Sequence, residues 1–555
     1  MYYWLPGGGL TAALAPTFDL LALIAIVVIW GYVREGRWPA RLRDLVRSQR
    51  GLGTASGGPR DTSAEGAWPW QRRGDRWLAR GLTTTVVVFM ILGFGQGIAR
   101  REFGYDLVLA LQVRYVPEIF RMMYDAEPLV RFLLYCGLLV GALVLLVIGT
   151  HAAVRALYIR ALTARSRRAL LAGACAYAVL FGTVLGIHPS LSKELVAQVS
   201  FAVSVDEQLE RIAVELEGEN ESLAELEKLG ELDSTPSIYV FVIESYGAVV
   251  FRDQEMWGGA RDFMDHQEAV AHDAGYGIRS GYLDVPVFGG SSWMAQATML
   301  CGATIGTQDF YDALFLSNAR CIPEVLNRAG YRTAVAAANI TFIDDGYERL
   351  FPFDAQFFRD DLGYKGMRYG WSFVPDQYVI EMLHRHEVLG HPDTPRFIHY
   401  KLTNSHHPWD TVPPYIEDWS SIGDGSVVFS EPGPSFGNRF VRGDDFRRGY
   451  WETVAYSMRT VFDYLDRIPE DDALIVVLGD HQPRRPVAEM DSNTWWTPIH
   501  VMSRDEGVLQ AFTSLGYAEG ITPPALDPDD EGTTPAPLAH LFRHIFEAYA
   551  GRIGD

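Results

Sequence analysis

Positive charge is scarce in this chain. Lysine and arginine number 48 against 69 aspartates and glutamates, which gives a formal net charge of −21. Such an acidic surface repels the phosphate backbone of nucleic acids and does not dock electrostatically on anionic lipid. We therefore expect no nucleic-acid partner. No internal repeat is evident either, which excludes a solenoid or a propeller.

The first third of the chain differs because it contains long apolar runs. Four runs approach the ~20 residues that a helix needs to cross a bilayer. They cover residues 17–33, 78–98, 129–149 and 169–187. The first is the shortest and carries Asp19. The runs predict an α-helical membrane domain of about four spans over residues 1–189, with no cleavable signal peptide.

The distribution of arginine predicts the orientation of this domain. The segments 34–77 and 150–168 are rich in arginine, whereas the segment between the second and third runs balances arginine with acidic residues. The positive-inside rule places both arginine-rich loops in the cytoplasm. We therefore expect a multi-pass protein of a bacterial-type cell membrane, with everything after residue 188 on the extracytoplasmic side.

Cysteine is also scarce, with four in 555 residues, so the chain is not a small disulfide-built scaffold. Cys136 and Cys175 lie within apolar runs, where cysteine serves as a small apolar residue. Cys301 and Cys321 fall in the part expected outside the cytoplasm, where oxidation is permitted. They are a candidate disulfide, and two separate thiols remain an equal alternative.

The remainder of the chain has two parts. Residues 190–234 are acidic and helical in pattern, which predicts a surface helix or stalk that links the membrane domain to residues 235–555. From residue 235 onward, predicted strands alternate with helices. This alternation predicts an α/β domain with a mostly parallel central sheet. The predicted strands are Ile238–Ile243, Arg332–Ala337, 397–402 and 474–478, and the predicted helices are 322–329, 375–386 and 446–468.

Two predicted strands end in side chains that bind metals. Glu244 follows the strand Ile238–Ile243, and Asp480 and His481 follow the strand 474–478. Ligands collect at the carboxyl ends of strands in open α/β sheets, so these residues are candidates for one site. Two carboxylates with one imidazole suit Mg²⁺, Mn²⁺ or Zn²⁺. The alternative is structural, because carboxylates at strand ends also cap helices.

Further polar residues follow predicted strands or open a predicted helix, as candidate site residues do. Ser291 and Ser292 follow two glycines and open a helical run, where the positive field of a helix N-terminus favours phosphate and an alkoxide. Either serine can instead be the N-cap. His406 and His407 follow the strand 397–402 and are candidates for proton transfer or substrate binding. Asn339, which follows the strand Arg332–Ala337, is a further candidate.

The order of these motifs resembles the alkaline phosphatase/sulfatase superfamily. Within it, the chain is similar to the membrane-anchored lipoteichoic acid synthase and phosphoglycerol transferase branch. The resemblance implies that Glu244, Ser292, Asp480 and His481 bind one divalent cation, Mn²⁺ or Mg²⁺, with Zn²⁺ as an alternative. It also implies that Ser292 is the nucleophile and that His406 contacts the substrate. Ser292 is preferred to Ser291 because the Gly-Gly-x-[Ser/Thr]-Trp form places the hydroxyl there.

The chain departs from that branch at three points. Serine replaces the usual threonine at position 292, and four apolar runs are visible where the synthases have five spans. The substrate-binding arginine of the branch would fall near Asp344 and Asp345, so Arg349 is the candidate replacement, beside His406, His407 and Asn339. Sulfatase activity is disfavoured. Sulfatases oxidise a Cys or Ser to formylglycine, and Pro-Ser-Arg-like residues follow that position, whereas Trp293 and Met294 follow Ser292 here.

The resemblance implies a transferase. A phosphoglycerol or phosphoethanolamine head group would move from a membrane phospholipid, through phospho-Ser292, to a hydroxyl of an envelope glycan or polymer. Two alternatives stay open, namely a membrane-bound phosphodiesterase, phosphatase or sulfuric-ester hydrolase of the same superfamily and a non-catalytic membrane scaffold. The sequence does not specify the head group, the acceptor or the oligomeric state.

Overall fold

The computed structural model describes residues 73–102, 116–126, 129–161, 199–232, 235–340, 345–369, 373–431, 444–489, 495–525 and 534–550, with a few isolated positions besides. The chain divides into two compact units. The first comprises residues 1–101 and 106–203, and the second comprises residues 102–105 and 204–555. Among the described residues, the first unit is helical and the second is α/β.

The described part of the first unit contains the helices α1 (Arg73–Glu102), α2 (Val116–Ala126) and α3 (Leu129–Ala161). α1 and α3 share a small buried cluster built from Ala79, Leu82, Val154 and Tyr158. Away from this cluster, α3 exposes many leucines and valines, such as Leu145 at 71%. A helix that is apolar on its exposed faces suits a lipid environment.

Two helices among the described residues are long and apolar enough to cross a membrane. They are Arg76–Gln96, with a mean hydropathy of 1.7, and Leu129–Ile159, with a mean hydropathy of 2.7. They correspond to two of the four predicted runs, so the structure supports two candidate spans rather than four. The runs 17–33 and 169–187 lie outside the described residues, apart from isolated positions. Length and composition alone are weak evidence for a span, since buried core helices share them.

The described strands of the second unit form a single sheet. Its order is β4-β3-β5-β1-β6-β7-β2-β8, with β9 beside β2. The strands are β1 (Ile238–Ile243), β2 (Gly277–Asp284), β3 (Arg332–Ala337), β4 (Ala355–Phe358), β5 (Arg396–Leu402), β6 (Leu474–Gly479), β7 (Trp496–Ser503), β8 (Ala518–Glu519) and β9 (Ala536–Pro537). β1 lies centrally and every residue in it is buried, as its continuous apolar sequence predicts.

The described helices of this unit surround the sheet. They are α4 (Val205–Asn220), α5 (Val249–Arg252), α6 (Gln254–Asp273), α7 (Ser292–Cys301), α8 (Gln308–Leu314), α9 (Ile322–Arg328), α10 (Asp345–Leu350), α11 (Asp376–Leu383), α12 (Asp444–Tyr464), α13 (Glu506–Ser514) and α14 (Leu541–Ala550). A π-helical turn, His384–Val388, extends α11, and a 3₁₀ turn, Leu465–Arg467, extends α12.

The prediction of a mostly parallel sheet is wrong, because the sheet is mixed. Strands β4, β3, β5, β1 and β6 are parallel to one another. β7 is antiparallel to β6, β2 is antiparallel to both β7 and β8, and the short strand β9 is parallel to β2. The described residues between β6 and β7 contain no helix, and a connection without a crossover helix allows the chain to reverse direction.

β2 and β7 were not predicted, because both strands bury polar side chains. Ser280 on β2 and His500 on β7 are both fully buried. Ser280 Oγ lies 2.8 Å from His500 Nδ1, and the Tyr246 hydroxyl lies 2.8 Å from His500 Nε2. Because these contacts satisfy both ring nitrogens, the strands tolerate residues that a hydrophobic pattern does not anticipate.

The segment 190–234 was predicted to be a linker. From residue 204 onward it belongs to the second unit, where α4 continues into a 3₁₀ helix, Glu221–Glu231. Leu216 and Leu229 of this segment are fully buried, and Glu227 pairs with Arg320 at 2.9 Å. This part of the segment is therefore a packed layer of the α/β unit rather than a separate stalk.

Gly479, the last residue of β6, allows a close approach between two strand ends. A Cβ atom at this position would lie 1.8 Å from the carbonyl oxygen of Tyr246, in the turn after β1. The turn after β1 is equally tight against β6 at Gly247, where a Cβ atom would lie 2.1 Å from Gln482 Oε1. The residues that follow β1 and β6 are therefore held side by side.

This contact predicts that Gly479→Ala destabilises the second unit. The new methyl group meets backbone rather than a flexible side chain, so the strand ends must separate, at a cost of about 1–3 kcal/mol. Thermal unfolding of the purified protein measures the effect. Gly258→Ala is the matched control, since Gly258 is in α6 and a Cβ atom there would have nothing within 4 Å. Alanine at that position is worth up to about 1 kcal/mol of added helix stability. Equal unfolding temperatures for both variants would contradict the prediction.

Candidate active site

Three possible metal ligands converge where β1 and β6 end. Glu244 follows β1, and Asp480 and His481 follow β6, which pairs with β1 through the register Ile243↔Gly479. One ligand atom from each of the three side chains lies within 4.8 Å of the others. His481 Nε2 is 3.2 Å from Glu244 Oε1 and 3.8 Å from Asp480 Oδ2. All three side chains are buried, as a site between adjacent strand ends requires.

The hydroxyl of Ser292 joins this cluster. Ser292 is the first residue of α7, and its Oγ donates a hydrogen bond of 2.9 Å to Glu244 Oε2. The same oxygen lies 3.2 Å from His481 Nε2. Ser291 is the residue before the helix and has a left-handed backbone, with φ at 66°. The structure therefore brings Ser292, rather than its neighbour, to the carboxylates.

The carbonyl oxygen of Gln482 holds the histidine and the serine turn together. His481 Nδ1 donates a hydrogen bond of 2.8 Å to it, and the backbone N–H of Gly289 donates another of 3.1 Å. Phe288 and Gln482 also form a parallel β-bridge. Because Nδ1 carries the proton in this bond, neutral His481 presents the lone pair of Nε2 to the cluster, as a metal ligand must.

The electrostatics of the cluster favour bound positive charge. Burial raises the pKa of Asp480 to about 6, and the charge of Glu244 adds to this effect. Burial opposes the charged form of His481, but Asp480 and Glu244 outweigh it and raise the pKa of His481 to about 9. Burial alone would raise the pKa of Glu244, yet the hydrogen bond and charge of His481 bring it below its usual range.

The donor set fits one divalent cation. Asp480 Oδ2 is buried and has no hydrogen-bond partner among the described residues. A buried carboxylate oxygen without a partner is costly, and coordination of a cation would satisfy it. Two carboxylates, an imidazole nitrogen and a hydroxyl are ligands that Mg²⁺, Mn²⁺ and Zn²⁺ accept.

His406 is positioned at the same edge of the sheet by a buried network. The carboxylate of Asp376 accepts hydrogen bonds from the backbone N–H of Thr403 at 2.8 Å and from the hydroxyl of Ser457 at 2.6 Å. Ser405 Oγ donates a hydrogen bond of 2.5 Å to the carbonyl of Glu244. The loop that follows β5 is therefore tied both to α11 and α12 and to the metal-ligand turn.

The ring of His406 is oriented in the same way as the ring of His481, by a hydrogen bond from Nδ1 to the carbonyl of the next residue. Its Nδ1 donates a hydrogen bond of 2.6 Å to the carbonyl of His407, so Nε2 is the acceptor nitrogen of the neutral ring. Burial lowers the pKa of His406, and the charge of Glu244 opposes that shift. The charge of Glu244 is therefore part of the electrostatic environment of His406.

The other predicted substrate residues have different surroundings. Asn339 follows β3, and its Oδ1 is buried without a hydrogen-bond partner among the described residues. The ring of His407 packs against Trp409 and Phe446, with centroid distances of 5.2 and 5.6 Å. Arg349 is exposed on α10, and its guanidinium donates to the carbonyl of Phe315 rather than to the metal cluster.

Two cations near the cluster were missed in the sequence. Lys401 is buried on β5, and its charge helps to lower the pKa of Glu244. The charge of Arg484 acts on the pKa of His406. A signal existed for both, since Lys401 is a charged residue in a predicted buried strand and Arg484 follows the Gly-Asp-His-Gln-Pro string directly.

The helix that begins at Ser292 is fixed at its far end by a covalent bond. Cys301, the last residue of α7, forms a disulfide with Cys321, which precedes α9. A cross-link that closes a loop of this size restricts the unfolded chain by about 3 kcal/mol in the chain-entropy treatment. The disulfide therefore contributes to the stability of the segment that carries the serine.

Residues 303–506 match the family model described as Sulfatase. The match confirms the resemblance to the alkaline phosphatase/sulfatase superfamily. The matched range contains His406, Asp480 and His481, whereas Glu244 and Ser292 precede it. A comparison with curated proteins finds no match.

Several solved structures are similar to this chain. The lipoteichoic acid synthase LtaP from Listeria monocytogenes is 14% identical, with a TM-score of 0.34. The match covers 48% of this chain and 64% of the LtaP chain, so this chain spans less than two thirds of the length of LtaP. The phosphoglycerol transferase GacH from Streptococcus pyogenes, in complex with sn-glycerol-1-phosphate, is 13% identical, with a TM-score of 0.35 and coverage of 62% and 93%. The periplasmic domain of the phosphoethanolamine transferase EptC from Campylobacter jejuni is 11% identical, with a TM-score of 0.33 and coverage of 55% and 97%.

The ligand geometry predicts that Asp480→Asn weakens Mn²⁺ binding on the order of 100-fold, since the amide offers a neutral oxygen in place of a charged one. Metal content after dialysis against Mn²⁺, together with calorimetric titration, measures the loss. Asp265→Asn is the matched control, because this carboxylate on α6 is 60% exposed and distant in sequence from the cluster. If both variants bind Mn²⁺ like the unaltered protein, the cluster is not the metal site.

Proposed function

We propose that this chain, whose residues 303–506 match the Sulfatase family model, is a metal-dependent transferase of phospholipid head groups. It would move phosphoglycerol or phosphoethanolamine from a membrane phospholipid to a hydroxyl of an envelope glycan or polymer. The observation that best supports the proposal is the Ser292 hydroxyl, which lies 2.9 Å from Glu244 Oε2 and 3.2 Å from His481 Nε2. A hydroxyl held against metal-ligating side chains is the arrangement of an activated nucleophile.

Glu244, Asp480, His481 and Ser292 would hold the divalent cation, which is Mn²⁺ or Mg²⁺ in this proposal, with Zn²⁺ as an alternative. Such a cation lowers the pKa of a bound hydroxyl and withdraws charge from a phosphate oxygen. The protein contributes the orientation. The carbonyl of Gln482 fixes the ring of His481 and the turn before Ser292, so the hydroxyl and the imidazole keep their relative positions.

The proposed reaction has two halves. In the first, Ser292 Oγ attacks the phosphorus of the head-group phosphodiester, the Oγ–P bond forms, and the P–O bond to diacylglycerol breaks. Diacylglycerol leaves toward the bilayer with a proton on its oxygen, and the serine proton is released. In the second, a glycan or polymer hydroxyl attacks the phosphorus of phospho-Ser292, the new O–P bond forms and the Oγ–P bond breaks. Ser292 Oγ then takes up a proton from solvent, which replaces the one released in the first half and restores the serine.

His406 is assigned to the proton transfers. The imidazolium form donates a proton to the departing diacylglycerol oxygen, and the neutral ring then accepts the proton of the incoming hydroxyl. One group can serve in both directions because the second half reverses the first in its bond changes. The hydrogen bond from Nδ1 to the carbonyl of His407 leaves Nε2 as the nitrogen that exchanges the proton.

Membrane attachment fits this function. The candidate spans Arg76–Gln96 and Leu129–Ile159 would keep the α/β unit at the membrane that contains the donor. Restriction to the surface raises the effective concentration of lipid at the site. We place the α/β unit on the extracytoplasmic side, where envelope glycans and polymers are found.

Hydrolysis is the alternative, since water in place of the acceptor hydroxyl would make the same site a phosphodiesterase or phosphatase. A non-catalytic scaffold is a third candidate. It agrees less well with the site because all four proposed ligands are present and face one another.

The nucleophile assignment predicts that Ser292→Ala loses head-group transfer by on the order of 10³-fold or more, as removal of a nucleophile does elsewhere. The full chain is incubated with Mn²⁺ and either phosphatidylglycerol or phosphatidylethanolamine and then analysed by intact mass. We expect an added phosphoglycerol or phosphoethanolamine mass on Ser292 that is absent in Ser292→Ala.

Ser291→Ala is the matched control and should keep the adduct. Retention of full activity in Ser292→Ala contradicts the proposed nucleophile. Release of head group that does not respond to added glycan favours the hydrolase. A protein with no adduct, no release and no bound metal would be a scaffold.

A further inference from the structure

Lys401 is an unusual residue in this chain. The sequence contains four lysines, which are Lys193, Lys228, Lys365 and Lys401. Lys228 and Lys365 are exposed, and each forms an ion pair. Lys401 is 7% exposed and has neither a hydrogen bond nor an ion pair within the described part of the chain. A buried ammonium that makes no direct ion pair is costly, and the charges of Glu244 and Asp480 offset only part of that cost. A bound group with its own negative charge would satisfy the ammonium directly.

The strand register places Lys401 beside the active site. β5 lies between β3 and β1, and Lys401 is opposite Ala337 on β3 and Val242 on β1. Alternate residues of a strand face the same side, so Asn339 and Glu244 continue the two rows that flank Lys401. Two residues of strand span about 6.6 Å, a length that an extended lysine side chain covers.

The charges of the site agree with this placement. Burial lowers the pKa of Lys401, whereas the charges of Glu244 and Asp480 both act to raise it. Lys401 approaches from β5, on one side of β1, while Asp480 and His481 come from β6, on the other side. The hydroxyl of Ser292, which is bonded to Glu244, therefore has metal ligands on one flank and a buried cation on the other.

Two amide side chains, one on α7 and one after β3, each have an atom without a hydrogen-bond partner. Gln296 Nε2 and Asn339 Oδ1 are buried without a hydrogen-bond partner among the described residues. Gln296 is one turn after Ser292 on α7, so both side chains emerge from the same helix face. An amide that turns about its last torsion presents N–H groups in place of oxygen. The flank therefore combines an ammonium with two amides capable of donation.

The residue beneath Lys401 does not neutralise it. His399 lies two positions earlier on β5, facing the same side, and is fully buried. Burial and the charge of Lys401 lower the pKa of His399 to about 3, so the ring is uncharged. Its ring stacks with Phe353 at a centroid distance of 6.4 Å. The charge of Lys401 is therefore available to Glu244 and Asp480 and to an anion bound in the site above.

We propose that Lys401, with Gln296 and Asn339, forms the subsite that binds the non-bridging oxygens of the phosphoryl group transferred to Ser292. The inference rests on the proposed function and identifies the substrate as one with an anionic phosphoryl group at its reacting centre. Fixed donors that meet the charge on the equatorial oxygens of a transferring phosphoryl group stabilise its transition state. In this arrangement Lys401 supplies positive charge from the β5 side of the site, and a cation held by the proposed ligands supplies it from the β6 side.

Lys401→Gln tests the proposal in the full chain loaded with Mn²⁺. Inorganic phosphate is the probe, and calorimetric titration measures its affinity. We expect the affinity to fall about tenfold or more, as loss of a charged hydrogen bond implies, with unchanged Mn²⁺ content and unfolding temperature. Lys401→Arg should retain part of the affinity. Lys365→Gln is the matched control, since Lys365 is 70% exposed and pairs with Asp424, and it should bind phosphate normally.

Three outcomes overturn the proposal. They are phosphate affinity unaltered by Lys401→Gln, phosphate affinity lost together with Mn²⁺, and an unaltered protein that binds Mn²⁺ but no phosphate. The second outcome would make Lys401 a charge partner of the metal ligands. If Lys401→Gln does not fold, Lys401→Met and Lys401→Arg make the same comparison of charge at similar length.

Phosphate binding requires neither a lipid donor nor turnover, so the test is independent of transferase activity. A protein that binds phosphate through Lys401 but never forms an adduct on Ser292 contradicts the proposed transfer and leaves this inference standing. A protein that forms the adduct equally well with and without Lys401, and binds phosphate equally well, contradicts this inference alone.

Discussion

The contact between the ends of β1 and β6 is the constraint on which the rest of the site depends. The carbonyl of Tyr246 occupies the space that a side chain at position 479 would need. The two chain segments can therefore pack this closely only because residue 479 is glycine. Glu244 and Asp480 leave these strands at the same level, and Ser245 N–H donates a hydrogen bond of 2.8 Å to Asp480 Oδ1 across the gap. Backbone proximity, rather than side-chain flexibility, therefore creates a cluster of carboxylates in the interior.

Burial of two carboxylates in one cluster costs electrostatic free energy, and neighbouring positive charges offset that cost. Burial, with the added charge of Glu244, raises the pKa of Asp480 to about 6. Burial opposes the charged form of His481, but the charges of Asp480 and Glu244 outweigh it and raise the pKa of His481 to about 9. His481 offsets part of the cost, Lys401 another part, and a divalent cation would offset the remainder. The cation that this negative charge attracts would also supply the positive field in which the hydroxyl of Ser292 can lose its proton.

The sequence allowed part of this arrangement to be predicted. β1 and β6 are short apolar runs, and Glu244, Asp480 and His481 follow them directly, so neighbouring parallel strand ends were sufficient to bring these side chains together. The glycine turn before a helix indicated Ser291 or Ser292, and the preference for Ser292 came from the resemblance to the superfamily. β2 and β7 were missed because Ser280 and His500 satisfy each other across the strands, and a pattern of single residues does not show a partner 220 residues away. Lys401 stands out in the sequence as a charged residue in a predicted buried strand, but only the register of β5 against its neighbours places it beside Glu244. Arg349 was placed by proximity in sequence, whereas α10 directs it to the carbonyl of Phe315.

The single carbonyl oxygen of Gln482 has a consequence for motion as well as for geometry. It accepts hydrogen bonds from the ring of His481 and from the backbone at Gly289, three residues before Ser292. When thermal fluctuation displaces the end of β6, the imidazole and the serine turn are displaced in the same direction. A shared displacement changes the separation between His481 and Ser292 less than it changes the position of either residue.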